Sequence, residues 1–334
     1  MTDLQTALGA LPRARLATLP TPLEEGPTLP SGARLLVKRD DLSGLGMGGN
    51  KARKLELLCG DAQARGADVL VTVGAEQSNH ARMTAAAGAI LGLETHLVLG
   101  GDPDAPPTGN RLLGELFGAR VHQPGSDDWG ELSAALEAVV DELRAAGRRP
   151  YAFPMGGSTE VGALGFTAAW VELLGQLQAR GVQAAAVVHA SSTGGTHGGL
   201  LAGASVLEGP PILAIEVAKE PGRDLAADAH DLAVGALERL GLPGADRVSS
   251  LLELDHGWLG PGYAVPSEEG DAAIRWAARH GGWVLDRTYS GKAFAGLLGA
   301  DAAGRFGPGD TVVFWHTGGH PAVFAAGGAP ALDT

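Results

Sequence analysis

The sequence predicts an α/β protein built from mostly parallel sheets with helices on both faces. Its 334 residues exceed what one minimal core needs and suit one large α/β unit or two lobes. Short apolar runs alternate with helix-like segments along most of the chain, which is the pattern of a doubly wound architecture. The apolar runs show no polar alternation, as is typical of strands that are buried on both faces of a parallel sheet.

The predicted elements follow one another as strand and helix along the chain. The predicted strands are residues 34–40, 68–74, 94–100, 184–190, 210–218 and 310–319. The predicted helices are residues 50–66, 78–92, 110–117, 163–180 and 196–207. The Gly- and Pro-containing residues 101–110 and 147–158 are predicted to be loops.

Composition and charge argue against several classes of partner. The formal net charge of -13, without any basic stretch, argues against a nucleic-acid partner and against an anionic membrane surface. No apolar run reaches membrane-spanning length, and the N-terminus lacks the pattern of a signal peptide. Cys59 is the single cysteine and cannot form an internal disulfide, so we expect a reducing, cytoplasmic location.

Lys51 is the first candidate for chemistry. It follows two glycines, which permit a tight bend, and Asn50, which is a good N-cap for the helix that Lys51 opens. A helix N-terminus disfavours cations, so this placement lowers the pKa of the amine and helps it attack a carbonyl. The alternative is an ordinary turn with a solvated lysine. Arg53 and Lys54, further into the helix, are predicted to lie on the surface.

Two other segments lie where a predicted strand gives way to a helix, which is where open parallel sheets bind ligands. The backbone N–H groups of residues 77–80 would suit a carboxylate; the alternative is a serine N-cap followed by a surface His80. The hydroxyls and glycines of residues 191–196 form a cradle suited to a phosphate monoester; the alternative is a flexible loop. His316 and His320 have no third ligand nearby, so no metal is expected. An activated lysine, a carboxylate pocket and a phosphate cradle together describe a site for pyridoxal 5'-phosphate.

The chain also resembles a known family through motifs that run along nearly its whole length. These are LPTPLE, VKRDDLSGLGMGGNKARKLE, QSNHARMTAA, PMGGSTEVGALGF, SSTGGTHGGL, GPGYAVP, TYSGKAFAGL and WHTGG. They are similar to those of the fold-type II pyridoxal-phosphate enzymes, in the branch that holds D-cysteine desulfhydrase and 1-aminocyclopropane-1-carboxylate deaminase.

The resemblance implies a tryptophan-synthase-β-like pair of open α/β lobes with twisted, mostly parallel sheets. The cofactor is expected in the cleft between the lobes, and the protein is expected to form a homodimer. The larger lobe would comprise residues 1–47 and 160–334 and bind the cofactor phosphate. The smaller lobe would comprise residues 48–159 and carry the loop that binds the substrate carboxylate.

The resemblance also implies a role for each residue that matches the family motifs. Lys51 would hold pyridoxal 5'-phosphate as a Schiff base. Asn79 would hydrogen-bond the ring oxygen of the cofactor and, with Ser78 and His80, contact the carboxylate of a small amino-acid substrate. The phosphate would be held by Thr193, Gly194, Gly195 and Thr196. Catalytic roles are implied for Lys51, Ser78, Tyr263 and Tyr289. Without the resemblance, both tyrosines would be interpreted as buried aromatics.

Two positions favour one activity within the branch. Ser290 follows the second tyrosine and Thr317 precedes the last glycine pair, as in the D-cysteine desulfhydrases, whereas the deaminases carry Glu and Leu there. A carboxylate against the pyridine nitrogen would keep that nitrogen protonated, which helps to open a cyclopropane. Expelling a thiolate needs less help, and Ser290 offers a neutral hydrogen bond to the cofactor ring. Thr317 is expected to contact the substrate.

The expected protein is therefore a pyridoxal-phosphate-dependent carbon–sulfur lyase. It would catalyse the α,β-elimination of D-cysteine to pyruvate, ammonia and hydrogen sulfide. The alternatives within the family are a 1-aminocyclopropane-1-carboxylate deaminase and an L-cysteate sulfo-lyase. The alternative from another class is a non-catalytic protein that binds an amino acid or the cofactor.

Overall fold

The structure, a computed structural model, describes residues 2–219 and 222–330 and contains two sheets. Strands β1 to β10 span Leu23–Glu25, Arg34–Arg39, Val69–Gly74, Glu94–Leu99, Arg120–His122, Pro150–Phe153, Ala186–Ser191, Ile212–Glu216, Glu253–Asp255 and Thr311–His316. Helices α1 to α11 span Asp3–Gly9, Lys51–Ala64, Asn79–Leu91, Gly109–Leu116, Trp129–Ala145, Glu160–Ala179, Gly195–Val206, Leu225–Leu240, Ala245–Leu251, Glu268–Gly281 and Ser290–Ala302. Among the helices of these residues, none combines the length and the apolarity that a bilayer-crossing segment needs.

The larger sheet has six strands in the order β1-β2-β10-β7-β8-β9. Strand β1 pairs antiparallel with β2, and the other neighbours pair parallel. The last strand, β10, inserts between β2 and β7, so that Trp315 pairs with Lys38 and Val313 pairs with Val187. Strand β10 therefore lies in the middle of the sheet that also contains β1 and β2.

The smaller sheet has four parallel strands in the order β5-β4-β3-β6. Every residue of β3 is buried, as is every residue of β7 and β10 in the larger sheet. Helices must therefore cover both faces of these strands, as the unbroken apolar runs of the sequence predicted. The predicted α/β class with two open, mostly parallel sheets is confirmed.

The structure contains elements that the sequence analysis did not predict. Residues 147–158 were predicted to be a loop, yet they contain β6, which pairs with β3. The prediction failed because Pro150 signals a turn, but a proline is tolerated as the first residue of an edge strand. Helices α1, α5 and α8 to α11 and the short strands β1, β5 and β9 were also missed.

Helix α2 connects the two sheets through its packing. One side contacts the core of the smaller sheet, where Leu55 and Leu58 share an apolar cluster with Leu70 and Phe153. Leu57 on another side belongs to the cluster that includes residues of α6 and α7. The helix is consequently buried almost all round, which leaves its charged side chains inside the protein.

The prediction that Arg53 and Lys54 lie on the surface is wrong for this reason. The guanidinium of Arg53 donates to Asp40 at 2.8 Å and to Glu172 at 2.9 and 3.0 Å. Lys38 shares Glu172 and donates to the carbonyl of Thr21 at 2.6 Å. Two buried cations thus face two carboxylates, which offsets the loss of their hydration.

Candidate active site

One cavity of about 710 Å³, counting its open mouth, lies where strands of both sheets end. Residues that follow β3, β7 and β10 line it, together with the first residue of α2. Its walls include the predicted residues Lys51, Ser78, Asn79, His80, Thr193, Gly194, Thr196, Tyr263, Tyr289 and Thr317. Gly195 and Ser290 are buried beside these residues and do not line the cavity. The volume suits a small cofactor with an amino acid.

Lys51 opens α2 inside this cavity. The turn before it packs so closely that a Cβ on Gly48, where φ is +78°, would lie 1.9 Å from the carbonyl oxygen of Asp41. The backbone N–H of Asn50 donates to the Thr317 carbonyl at 2.9 Å, which fixes the start of the helix against the end of β10. Burial lowers the pKa of the Lys51 amine to about 8. The helix dipole was expected to lower this pKa, whereas desolvation is the cause that the structure supports.

Asn50 does not cap the helix with its side chain. Its amide instead donates to the hydroxyl of Thr196 at 3.2 Å. This bond joins the start of the lysine helix to the start of α7. The polar side chain that was predicted to be a local cap therefore ties two parts of the cavity wall together.

The start of α7 forms a cradle for an anion. Gly194 has φ +75°, and the helix begins at Gly195 with its N-terminal N–H groups at the cavity. A Cβ on Gly195 would lie 2.5 Å from Nζ of Lys54 and 2.6 Å from Oγ of Ser158, so only glycine leaves this approach open. Thr193 and Ser158 exchange a hydrogen bond of 2.7 Å beside it.

Lys54 places a buried amine at this cradle. Its buried amine donates to the carbonyl of Gly156 and to the hydroxyl of Ser158, both at 3.1 Å. Burial, and then the charge of Lys51, hold the pKa of Lys54 well below its usual range. A phosphate bound at the helix start would supply the counter-charge that this amine lacks, so the residues present fit a phosphate monoester.

The start of α3 forms the opposite wall. Ser78 caps the helix, since its hydroxyl accepts the N–H of Ala81 at 3.2 Å. The side-chain oxygen of Asn79 accepts from Arg82 at 3.2 Å and from Asn110 at 3.0 Å. These two donors orient the amide of Asn79 so that its nitrogen remains as the group that can donate to a ligand.

His80 is buried at the same wall, and not on the surface. Its ring packs edge-on against Phe153 with centroids 5.3 Å apart, and within the described residues neither ring nitrogen has a hydrogen-bond partner. Ser191 lines the cavity at the end of β7, and its buried hydroxyl also has no hydrogen-bond partner within the described residues. Burial, and then the charges of Lys51 and Lys54, hold the pKa of His80 well below its usual range. Buried polar atoms of this kind require partners, which a ligand in the cavity would provide.

Tyr289 immediately precedes α11, Ser290 begins this helix, and Tyr263 lies between β9 and α10. The hydroxyls of Tyr289 and Tyr263 lie 2.7 Å apart. The carboxylate of Asp286 accepts the N–H groups of Thr288, Tyr289 and Ser290 at 2.9 to 3.0 Å. Ser290 also donates its hydroxyl to Asp286 at 2.5 Å. Ser290, which was expected to contact the cofactor ring, is thus hydrogen-bonded to a buried carboxylate.

Several residues of the site were missed by the sequence analysis. Asp286 lines the cavity, and Lys54 and Ser158 form part of the phosphate cradle. Ser158 carried a signal, since it follows two glycines in a motif shared with the family. Within residues 2–219 and 222–330, no group of three His, Cys, Asp or Glu side chains is arranged to hold a metal ion.

Comparison with known proteins gives a consistent result. The family described as "Pyridoxal-phosphate dependent enzyme" matches residues 14–318. A D-cysteine desulfhydrase of Serratia proteamaculans (strain 568) is 38% identical over 338 residues, covering 97% of this chain and 98% of that protein. A D-cysteine desulfhydrase of Klebsiella pneumoniae (strain 342) is 37% identical over 326 residues, covering 95% and 97%.

A solved structure described as an ACC deaminase homologue is similar with a TM-score of 0.86 and 36% identity, covering 97% of each chain. The resemblance seen in the sequence motifs is confirmed, as is the predicted cofactor. Because the similarity extends over nearly the whole chain, the protein belongs to the pyridoxal-phosphate dependent enzyme family.

Proposed function

We propose that this enzyme is a carbon–sulfur lyase that converts D-cysteine to pyruvate, ammonia and hydrogen sulfide. The observation that carries the proposal is the single cavity in which Lys51, an anion cradle and a pair of phenols meet. An elimination needs an amine to move the Cα proton, an anchor for the cofactor and an acid for the leaving group. The D-cysteine desulfhydrases to which the chain is similar support the choice of substrate.

The cofactor would be held between the two walls of the cavity. We assign its phosphate to the start of α7, with Thr193, Thr196 and the amine of Lys54. The amide nitrogen of Asn79 would donate to the ring oxygen of the cofactor, because the amide oxygen already accepts two hydrogen bonds. When bound, pyridoxal phosphate supplies an electron sink for the negative charge that develops at Cα.

The chain itself would bind the substrate and move the protons. The backbone at the start of α3, with Ser78 and the neutral ring of His80, would bind the substrate carboxylate. Nζ of Lys51 would take the Cα proton, since a pKa of about 8 leaves part of the amine unprotonated near neutral pH. The hydroxyl of Tyr289, hydrogen-bonded to that of Tyr263, would assist proton transfer at the departing sulfur.

Ser290 and Thr317 would set the choice between elimination and cyclopropane opening. Ser290 donates to Asp286, so it can offer the cofactor nitrogen only a remaining lone pair and no charge of its own. Thr317 lines the same cavity as Tyr289. The double substitution Ser290→Glu and Thr317→Leu should lower sulfide release. Unchanged sulfide release would show that these two positions do not set specificity.

The deciding experiment compares three substrates with one preparation. Sulfide and pyruvate release from D-cysteine is measured beside 2-oxobutyrate release from 1-aminocyclopropane-1-carboxylate, with L-cysteate as a third substrate. We expect sulfide and pyruvate in equal amounts. Release of 2-oxobutyrate without sulfide would reject the proposal in favour of the deaminase, and turnover of L-cysteate alone would favour the sulfo-lyase.

A second experiment separates an enzyme from a binding protein. Borohydride should attach pyridoxal phosphate to Lys51, and peptide mass mapping should find the label there. Lys51→Ala should abolish turnover, whereas Lys219→Ala, at an exposed position, should not. A protein that takes up cofactor but turns over none of the three substrates would support the non-catalytic alternative.

We also propose the lobe boundaries, 1–47 with 160–334 and 48–159. Strands β3 to β6 fall within residues 48–159, and the other strands fall outside them, which supports this division. Native-state amide exchange should show residues 48–159 opening as a unit. Opening of both sheets together would contradict the boundaries.

We propose a homodimer, supported by an exposed apolar groove. Met47, Leu112 and Phe324 line it with 49%, 49% and 74% of their surfaces exposed. Leu112→Glu should yield a monomer by light scattering, whereas Ile90→Glu, at another exposed apolar position, should not. A monomeric unmodified protein would contradict the proposal.

A cytoplasmic location is proposed from the single buried cysteine, and cell fractionation tests it.

A further inference from the structure

Tyr263 lies on an irregular segment, and the segment alone does not explain how its phenol is held. Residues 256–267 connect β9 to α10 without forming a helix or a strand. Gly260 has φ +64° and Ala264 has φ +56°, so the backbone here turns sharply. The hydroxyl of Tyr263 nevertheless lies 2.7 Å from that of Tyr289, a distance that leaves little freedom for the segment.

A buried amine on α11 holds this segment. Lys292 has none of its surface exposed, and its Nζ donates to the carbonyl of Leu259 at 2.7 Å and to that of Gly262 at 2.9 Å. The second of these carbonyls belongs to the residue before Tyr263. Burying an amine is unfavourable unless the amine is hydrogen-bonded, and these two hydrogen bonds account for the burial of Lys292.

The same helix also places the partner phenol. Tyr289 immediately precedes α11, and its backbone N–H is held by the carboxylate of Asp286 at 2.9 Å. Lys292 follows one turn later and reaches the other segment. Helix α11 therefore fixes the backbone of Tyr289 and, through Lys292, the backbone next to Tyr263. The ring of Tyr263 also contacts Trp129 edge-on, with centroids 6.0 Å apart.

We infer that Lys292 is a positioning residue for the tyrosine pair. Its amine binds the backbone before Tyr263 and so keeps the phenol of Tyr263 on that of Tyr289. The inference rests on the proposed function for the catalytic role of the pair. The bond between the phenols can be observed without any turnover, so the two ideas can fail separately.

The test uses the full-length protein grown with tyrosine that carries ¹³C at the hydroxyl-bearing ring carbon. The chain has three tyrosines, so three resonances are expected, and single Tyr→Phe variants assign them. Tyr151 serves as an internal reference, because its hydroxyl donates to Asp61 at 2.6 Å. Lys292→Met should shift the resonances of Tyr263 and Tyr289 and leave that of Tyr151 in place.

Matched variants complete this experiment. Lys292→Arg retains N–H donors and should move both resonances back toward their original positions. Lys219→Met, at an exposed lysine, should move none. Unchanged resonances of Tyr263 and Tyr289 in folded Lys292→Met would overturn the inference, whatever the activity. If Lys292→Met does not fold, Lys292→Gln is judged by the same criterion, and failure of both to fold would assign Lys292 to folding alone.

Kinetics give an independent measure on the holoenzyme. Lys292→Met should lower kcat about 10-fold or more with a smaller change in KM, and Tyr263→Phe should do likewise. Because Lys292 would act through Tyr263, the double variant should be no slower than the slower single variant. Losses that multiply in the double variant would overturn the inference. Absence of turnover in the unmodified enzyme, with the expected resonance shifts, would reject the proposed substrate and support the role of Lys292.

Discussion

The lowered pKa of Lys51 leads to a prediction about its reactivity in the cofactor-free protein. Burial lowers the pKa of this amine from 10.5 to about 8. At pH 7 an amine with a pKa of about 8 is about 9% unprotonated, against about 0.03% for an ordinary lysine, a difference of about 300-fold. Only the unprotonated amine reacts with an anhydride, so labelling of Lys51 should rise with pH and level off above about 8.

The assay is a brief pulse of acetic anhydride at pH 6 to 11, followed by peptide mass mapping. Lys219 is exposed and serves as the internal reference, whereas Lys38, Lys54 and Lys292 have no exposed surface and should stay unlabelled. Labelling of Lys51 that continues to rise steeply through pH 10 would refute the reasoning. The same result would remove the physical basis for Lys51 as the group that takes the Cα proton.

The buried amine of Lys51 also affects how the stability of the cofactor-free protein depends on pH. The folded state of the cofactor-free protein holds fewer protons on Lys51 than the unfolded chain between about pH 8 and 10.5. The unfavourable contribution of this buried amine is therefore fully present below about pH 8 and disappears as the pH rises through that interval. Relative to Lys51→Met, the free energy of unfolding should rise with pH there. A flat difference would contradict the burial of the amine.

Further predictions concern packing and buried charge. Asp40→Asn removes the charge opposite a buried guanidinium and should lower the free energy of unfolding in urea by about 3–5 kcal/mol. Glu253→Gln, in an exposed ion pair, should lower it by less than about 1 kcal/mol, and equal losses would contradict this contrast. Gly195→Ala places a Cβ 2.5 Å from a buried amine nitrogen and should weaken pyridoxal phosphate binding in a titration, whereas Gly175→Ala, with nothing within 4 Å, should not. Burial raises the pKa of the Cys59 thiol to about 12, so a thiol reagent at pH 8 should label it only as the protein unfolds.

The sequence predicted the central strands because their residues are buried on both faces. Strands β3, β7 and β10 contain no Asp, Glu, Lys or Arg, and such runs have few alternatives in an α/β protein. The site residues at 78–80, 193–196 and 317 were predictable for a related reason, since they closely follow these three strands. The short edge strand at Pro150 was not predictable, because its pairing depends on a neighbour and not on its own residues.

The buried charges were the main error of the sequence analysis. Arg53 and Lys54 have the composition of a solvated helix face, and nothing local distinguishes them from one. Their partners lie far along the chain: Glu172 for Arg53, and Ser158 for Lys54. The tertiary contacts of α2 with α6 and with the turn before α6 bring these groups together. Asp286 was missed for a similar reason, since its role is to accept backbone N–H groups in a turn.

The anchoring of α2 has a consequence for how this enzyme can change during evolution. Arg53 lies two residues after Lys51, and its guanidinium binds the carboxylates of Asp40 and Glu172. Moving the reactive amine therefore means breaking a buried ion pair, which costs about 3–5 kcal/mol of stability. Ser290 begins α11 and Thr317 follows β10, and neither belongs to that ion pair. Under the specificity roles proposed for Ser290 and Thr317, the preferred amino-acid substrate can change while the amine keeps its place.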